Sequence, residues 1–149
     1  MSFTDQFIGK GERVTFEILK HLTKLPERNL KQFPQIGIYK QVPLRWVVFE
    51  EDFNLLSDAH KKGSIDIFII TEGKSIAVRV QGPGHGTGLK GMGKVKHDKV
   101  QADLIKKNNH LVDLNPRECP QIFKERLTEK SENELIESFK TAKVEIPGF

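Results

Sequence analysis

Two apolar runs separated by only two residues constrain this chain most. Ser64 to Thr71 (Ser-Ile-Asp-Ile-Phe-Ile-Ile-Thr) and Lys74 to Gln81 are rich in β-branched residues, and Glu72-Gly73 between them suits a tight hairpin. Asp66 interrupts the first run. In the second, strand alternation sets Ala77, Arg79 and Gln81 on one side and Ile76, Val78 and Val80 on the other. With Ile65 and Ile67 both facing the core, a regular register points Asp66 the same way as the 79/81 pair. A hairpin of this kind needs cover on its apolar sides, and the rest of the chain must supply it.

The flanking segments do. Gly11 to Leu25 reads as a helix, because Val14, Ile18, Leu22 and Leu25 form one apolar stripe and Pro26 ends it. Ile36 to Phe49 is β-rich, with Pro43 marking a bulge or an edge position, and Trp46 is assigned to the core. Glu50 to Gly63 is a polar connection with room for a short helical turn. Lys94 to Asn108 returns to helical spacing through Val100, Leu104 and Ile105, and His110 to Leu114 is a fourth short strand. Pro116 opens a mostly helical tail carrying Ile122, Phe123, Leu127, Leu135, Ile136 and Phe139. The order α-β-β-β-α-β-α predicts an α/β fold, a central mixed β-sheet flanked by helices, formed by residues 1–149 as one domain.

Composition limits the function classes. Apolar residues at 37% and charged residues at 30% describe a folded chain rather than a disordered one. No apolar run approaches the ~20 residues needed to span a bilayer, so no membrane partner is expected. The start Met-Ser-Phe-Thr-Asp has neither a basic nor an apolar leader segment. The single cysteine, Cys119, reads as a small buried side chain and fits a reducing, intracellular (cytoplasmic) compartment.

Charge is more telling. The net charge is +4, and the six lysines between His85 and His110 (90, 94, 96, 99, 106 and 107), against Asp98 and Asp103, account for all of it. Clustered cationic charge of this sort favours a polyanion, since each neutralised phosphate releases counterions. Six glycines between Gly82 and Gly93 adjoin the cluster, which lets backbone amides and lysines approach a phosphate chain. Nucleotide-loop patterns fit less well. In Gly88-Leu89-Lys90-Gly91-Met92-Gly93-Lys94-Val95, Val95 stands where Ser or Thr should hold Mg²⁺, and no acidic residue completes a ribose site after Gly86-Thr87-Gly88-Leu89-Lys90-Gly91. His21, His60 and His97 show no zinc-site spacing. Arg45 and Trp46 are a further candidate stacking contact.

The run GSIDIFI, GKSIAVRVQGPGH and HDKVQADLIKKNNHLVDL, with Gly9, Gly11 and Glu12 on the first helix, resembles the core of PD-(D/E)xK (restriction endonuclease-like) nucleases, nearest the very-short-patch-repair branch. The likeness covers roughly Gly9 to Leu114. It implies a metal-dependent DNA endonuclease using Mg²⁺ (or Mn²⁺), with Asp66 as the principal metal ligand. Gln81 would stand at the usual Lys position, and His85 would contact the scissile phosphate or assist proton transfer. Glu12 would face the site from the helix. Lys90, Lys94, Lys96 and Lys99, with His97 beside them, would touch DNA phosphates, and a homodimer is admitted because nucleases of this size often pair to cut two strands. Arg79 occupies the position of the family's ligand Glu, and a guanidinium neither coordinates a cation nor loses its proton. It would repel the metal or take Asp66 as a partner. Two readings follow. Either a carboxylate elsewhere (Glu12, Glu72 or Asp98) replaces the missing ligand, or the chain is a catalytically inactive DNA-binding module that keeps the nuclease architecture.

Overall fold

A computed structural model describes residues 9–81 and 99–149 of the chain. Helix α1 spans Glu12–Thr23 and buries Val14, Ile18 and Leu22, the stripe read from the sequence, together with Phe16 and Leu19. It starts after Gly11, whose φ of 86° is left-handed and therefore not helical. It stops at Lys24, also left-handed, whose N–H donates to Lys20 O.

The strands are β1 (Gly37–Pro43), β2 (Ser64–Thr71), β3 (Lys74–Val80) and β4 (His110–Leu114), in the order β1-β2-β3-β4. The first three are antiparallel neighbours and β4 runs parallel to β3. A parallel neighbour requires a crossover, and residues 99–106, helical and here called α4, lead into β4. The β2–β3 hairpin closes across Glu72-Gly73, with Gly73 at φ 77° and Thr71 paired with Lys74. Pro43 is the last residue of edge strand β1, where a missing N–H disturbs the ladder least. The β-rich stretch ends there, since Leu44–Trp46 form a 3₁₀ turn. Short helices α2 (Glu50–Asn54) and α3 (Asp58–Lys61) fill the connection to β2. Helices α5 (Pro120–Phe123) and α6 (Glu129–Thr141) follow β4.

The sheet is covered on both faces, so this is an α/β fold with a mixed four-stranded sheet flanked by helices. One core joins α1, α5 and α6 to Ile38, Ile67, Ile69, Ile76, Val78, Val112 and Leu114. The other joins Leu44, Val47, Phe53, Ala102 and Ile105 to Tyr39, Val42, Ile65, Phe68, Ala77 and Leu111. Cys119 is buried in the first core, as read, with its Sγ 3.3 Å from Ser138 Oγ. Trp46 departs from expectation. It is 43% exposed on the 3₁₀ turn, its ring 5.2 Å from that of Phe33. Arg45 lies over the Phe53 ring at 5.5 Å. Among the described residues, no helix is long and apolar enough to cross a membrane.

The membership of the two cores also exposes a break in strand alternation. Ile38 and Val42 would share a face in a regular strand, yet they belong to opposite cores. Ile65 and Ile67, expected together on the core side, are likewise divided between the two. Gln41, at φ 50°, is the non-glycine residue that produces the switch in β1. Two successive side chains then reach α1. Lys40 Nζ sits 4.9 Å over the Phe16 ring, and Gln41 Nε2 donates to Glu12 Oε1 at 2.8 Å.

Gly11 ties this geometry to the start of α1. A Cβ there would meet Ile122 Cγ2 at 3.1 Å and Ile122 O at 3.3 Å, on a backbone that L-residues avoid. Gly11→Ala is expected to cost roughly 1–3 kcal/mol, read as a lower urea midpoint at unchanged slope. An unchanged midpoint would mean that the left-handed start of α1 is not required.

Candidate functional site

Beyond the pair Ile67↔Val78 the β2–β3 ladder is interrupted, and the carboxylate of Asp66 takes over one of its donors. Asp66 Oδ2 accepts from the backbone N–H of Val80 at 2.8 Å. Its Oδ1 is approached by Gln41 Nε2 at 3.5 Å, the outer limit of a hydrogen bond. The same Nε2 donates to Glu12 Oε1, while Glu12 Oε2 accepts from Gly9 N at 2.7 Å. Glu12 is only 4% exposed. Ser64 Oγ donates to Gln41 Oε1 at 2.7 Å, so in this orientation the amide nitrogen faces the carboxylates. One amide nitrogen thus stands between two carboxyl groups from α1 and β2.

Burial raises the pKa of Asp66 above the ordinary aspartate value. The Val80 N–H, the Gln41 amide and the Arg79 charge oppose that rise, and the Asp113 charge adds to it. A raised carboxyl pKa means that the folded state holds its proton more tightly than the unfolded state does. The ionised form therefore weakens the fold at neutral pH, and that loss disappears on acidification below the unfolded value.

Arg79 turns to the other face of the sheet, with Ala77. It is 5% exposed and forks onto Asp113, its register partner on β4, through Nε to Oδ1 at 2.7 Å and Nη2 to Oδ2 at 2.8 Å. Nη1 donates to Gln101 Oε1 on α4 at 3.1 Å. Gln81 joins this group. With its amide oxygen toward the guanidinium it accepts from Nε and Nη2 at 3.2 Å each, and its backbone N–H donates to Leu114 O at 2.7 Å. Arg79 therefore takes Asp113, not Asp66, as its ion-pair partner. Asp113 keeps water access, its side chain 40% exposed.

The residues singled out in the sequence thus divide into two groups. Asp66 and Glu12 meet through Gln41, and Arg79 and Gln81 meet through Asp113. Lys99 is exposed at the start of the described part of α4. His85, Lys90, Lys94, Lys96 and His97 lie outside the described residues. Four organising residues were not picked out in the sequence: Gln41, Ser64, Gln101 and Asp113. For Asp113 a signal existed, since it is the polar member of His-Leu-Val-Asp-Leu. Its pairing with Arg79 needed the β3–β4 register.

Among the described residues, no group of three or more His, Cys, Asp or Glu side chains is placed to hold a metal ion. Mg²⁺ can use one or two carboxylates and keep several waters, and Glu12 and Asp66 are the two hard oxygen donors that could hold it here. No protein-family model matches this chain, and neither a curated protein nor a solved structure does.

Two outcomes are expected from this geometry. Asp66→Asn should raise the thermal midpoint at pH 7, and the gap to wild type should close as pH falls through about 3.9, the unfolded aspartate value. A gap that stays constant with pH would remove the buried-charge account. Arg79→Ala should cost roughly 1.5–3 kcal/mol, the range for hydrogen bonds to charged groups. Urea unfolding checks it, and Asp113→Asn should also destabilise, because it leaves the buried Arg79 guanidinium without its opposite charge.

Proposed function

We propose that this chain is a metal-dependent DNA endonuclease of the restriction endonuclease-like type, with Glu12 as the second carboxylate in place of the one that Arg79 displaces. The observation that carries the reading is the convergence of Glu12 and Asp66 on the single amide nitrogen of Gln41. The strand order, three antiparallel strands and a fourth parallel to the third between a leading helix and a crossover helix, supports the resemblance drawn from the sequence.

Asp66 and Glu12 would hold Mg²⁺ or Mn²⁺. A divalent ion held there would supply an acidified water at neutral pH and offset charge on the transferring phosphoryl group. Asp66 is anchored for this work by the Val80 N–H, which leaves Oδ1 directed toward Glu12 through Gln41. Arg79, its charge balanced by Asp113, stays on the far side of β3 and acts as a brace between β3, β4 and α4. Lys99, one of the six lysines of the basic stretch, lies on α4 and would contact phosphate. Contacts of that kind set affinity and position rather than sequence preference.

A second reading, a non-catalytic DNA-binding module, is favoured by the burial of a guanidinium at the family's ligand position. Plasmid nicking separates the two. Nicking by wild type with Mn²⁺, lost in Asp66→Ala and in Glu12→Gln and not increased by Arg79→Glu, supports the enzyme. Salt-sensitive DNA binding with no nicking by wild type, and nicking gained by Arg79→Glu, overturns it in favour of the silent module.

A further inference from the structure

We infer that Gln41 is the third protein group of this metal site, an amide that donates to Glu12 and Asp66 without metal and turns its carbonyl oxygen to the cation when metal binds. This rests on the metal-site reading above and goes beyond it, since the resemblance assigns no role to a β1 residue.

The backbone provides the first reason. Gln41 sits at φ 50°, a conformation that a long polar side chain does not favour, in the middle of an otherwise regular strand. The register continues undisturbed on both sides, with Lys40 facing Ile67 and Val42 facing Ile65. Besides moving Val42 to the opposite core from Ile38, the unusual φ brings the amide to the α1 side, between Glu12 and Asp66.

The side chain provides the second. The amide nitrogen stands where two carboxylate oxygens converge, the place that a small cation with the same two ligands would compete for. Its oxygen is held by the Ser64 hydroxyl at 2.7 Å. A hydroxyl both donates and accepts, so a half-turn of the amide loses nothing at Ser64. The oxygen then faces the carboxylates as a neutral hard ligand, and the NH₂ donates to Ser64 Oγ. Mg²⁺ and Mn²⁺ accept carbonyl oxygen beside carboxylate and water. Against bound metal the donor orientation would be repulsive. No other change of backbone or partner is required.

Mn²⁺ binding, followed by the electron paramagnetic resonance of the free ion, tests this on the full chain without reference to cleavage. Gln41→Asn is the informative variant, because asparagine suits a left-handed backbone better than glutamine yet is one methylene too short to reach both carboxylates. It should fold normally and bind Mn²⁺ at least tenfold more weakly than wild type, in the range seen when metal-site partners are removed. Gln41→Glu should bind more tightly than wild type and should melt lower in EDTA, where three carboxyl groups meet. Ser64→Ala should weaken binding less than Gln41→Asn. Equal or tighter Mn²⁺ binding by Gln41→Asn, with binding still lost in Asp66→Asn, would overturn the ligand role and leave the metal site standing. Absence of Mn²⁺ binding by wild type would overturn both.

Discussion

The fold and the site depend on one point in the sheet, where Gln41 and Asp66 face each other across β1 and β2. There both strands exchange the core they serve: Ile38 and Ile67 lie on one side of the change, Val42 and Ile65 on the other. The interruption follows from strand geometry. A left-handed residue reverses the sense in which successive side chains emerge, and its cross-strand neighbours must follow or lose their packing. The change of face lets carboxyl groups enter the middle of the sheet without entering either hydrocarbon core. It also frees the Val80 N–H for Asp66, so the ladder is completed by a side chain rather than by backbone.

The same sheet buries a second set of charges by a different route. Arg79 meets its opposite charge directly, in a two-point fork onto Asp113, with Gln101 accepting from Nη1 and Gln81 sharing Nε and Nη2. Each donor of the guanidinium that points at these partners has an acceptor in line. Through Gln101 this group braces α4 against β3 and β4. It also explains how an arginine can stand where the resemblance leads one to expect a glutamate without drawing Asp66 away. The neutralised guanidinium exerts only a residual pull, one of several effects that oppose the rise in Asp66's pKa and fail to overcome burial.

The sheet, its helices and their order were legible because the apolar stripes are strong. Val14, Ile18 and Leu22 on α1, and the hairpin around Glu72-Gly73, needed only periodicity and turn chemistry. Asp66 was legible as a charged residue inside an apolar run. What surrounds it was not. Regular alternation puts Gln41 with Tyr39, on the wrong face, and nothing in Tyr-Lys-Gln-Val announces a positive φ. The partner of Arg79 depends on the register of a parallel pair joined by a long crossover, which no local pattern encodes. Trp46 was misplaced because a large aromatic beside a strand normally packs inside, whereas the 3₁₀ turn after Pro43 carries it back to the surface.

The two charge groups differ in a way that bears on function. The Arg79–Asp113 pair brings opposite charges into direct contact, and removing either member leaves a defect. Asp66 is served by neutral donors, one of them at the limit of bonding distance, and its burial leaves its proton more tightly held than in water. An aspartate kept in that condition lowers stability at neutral pH, and an asparagine could make the same bond to Val80 without the cost. A fold selected for stability alone has no use for the carboxylate at this point. Under the proposed metal site it would have one, because a bound ion would replace the proton and turn an unfavourable burial into a favourable one.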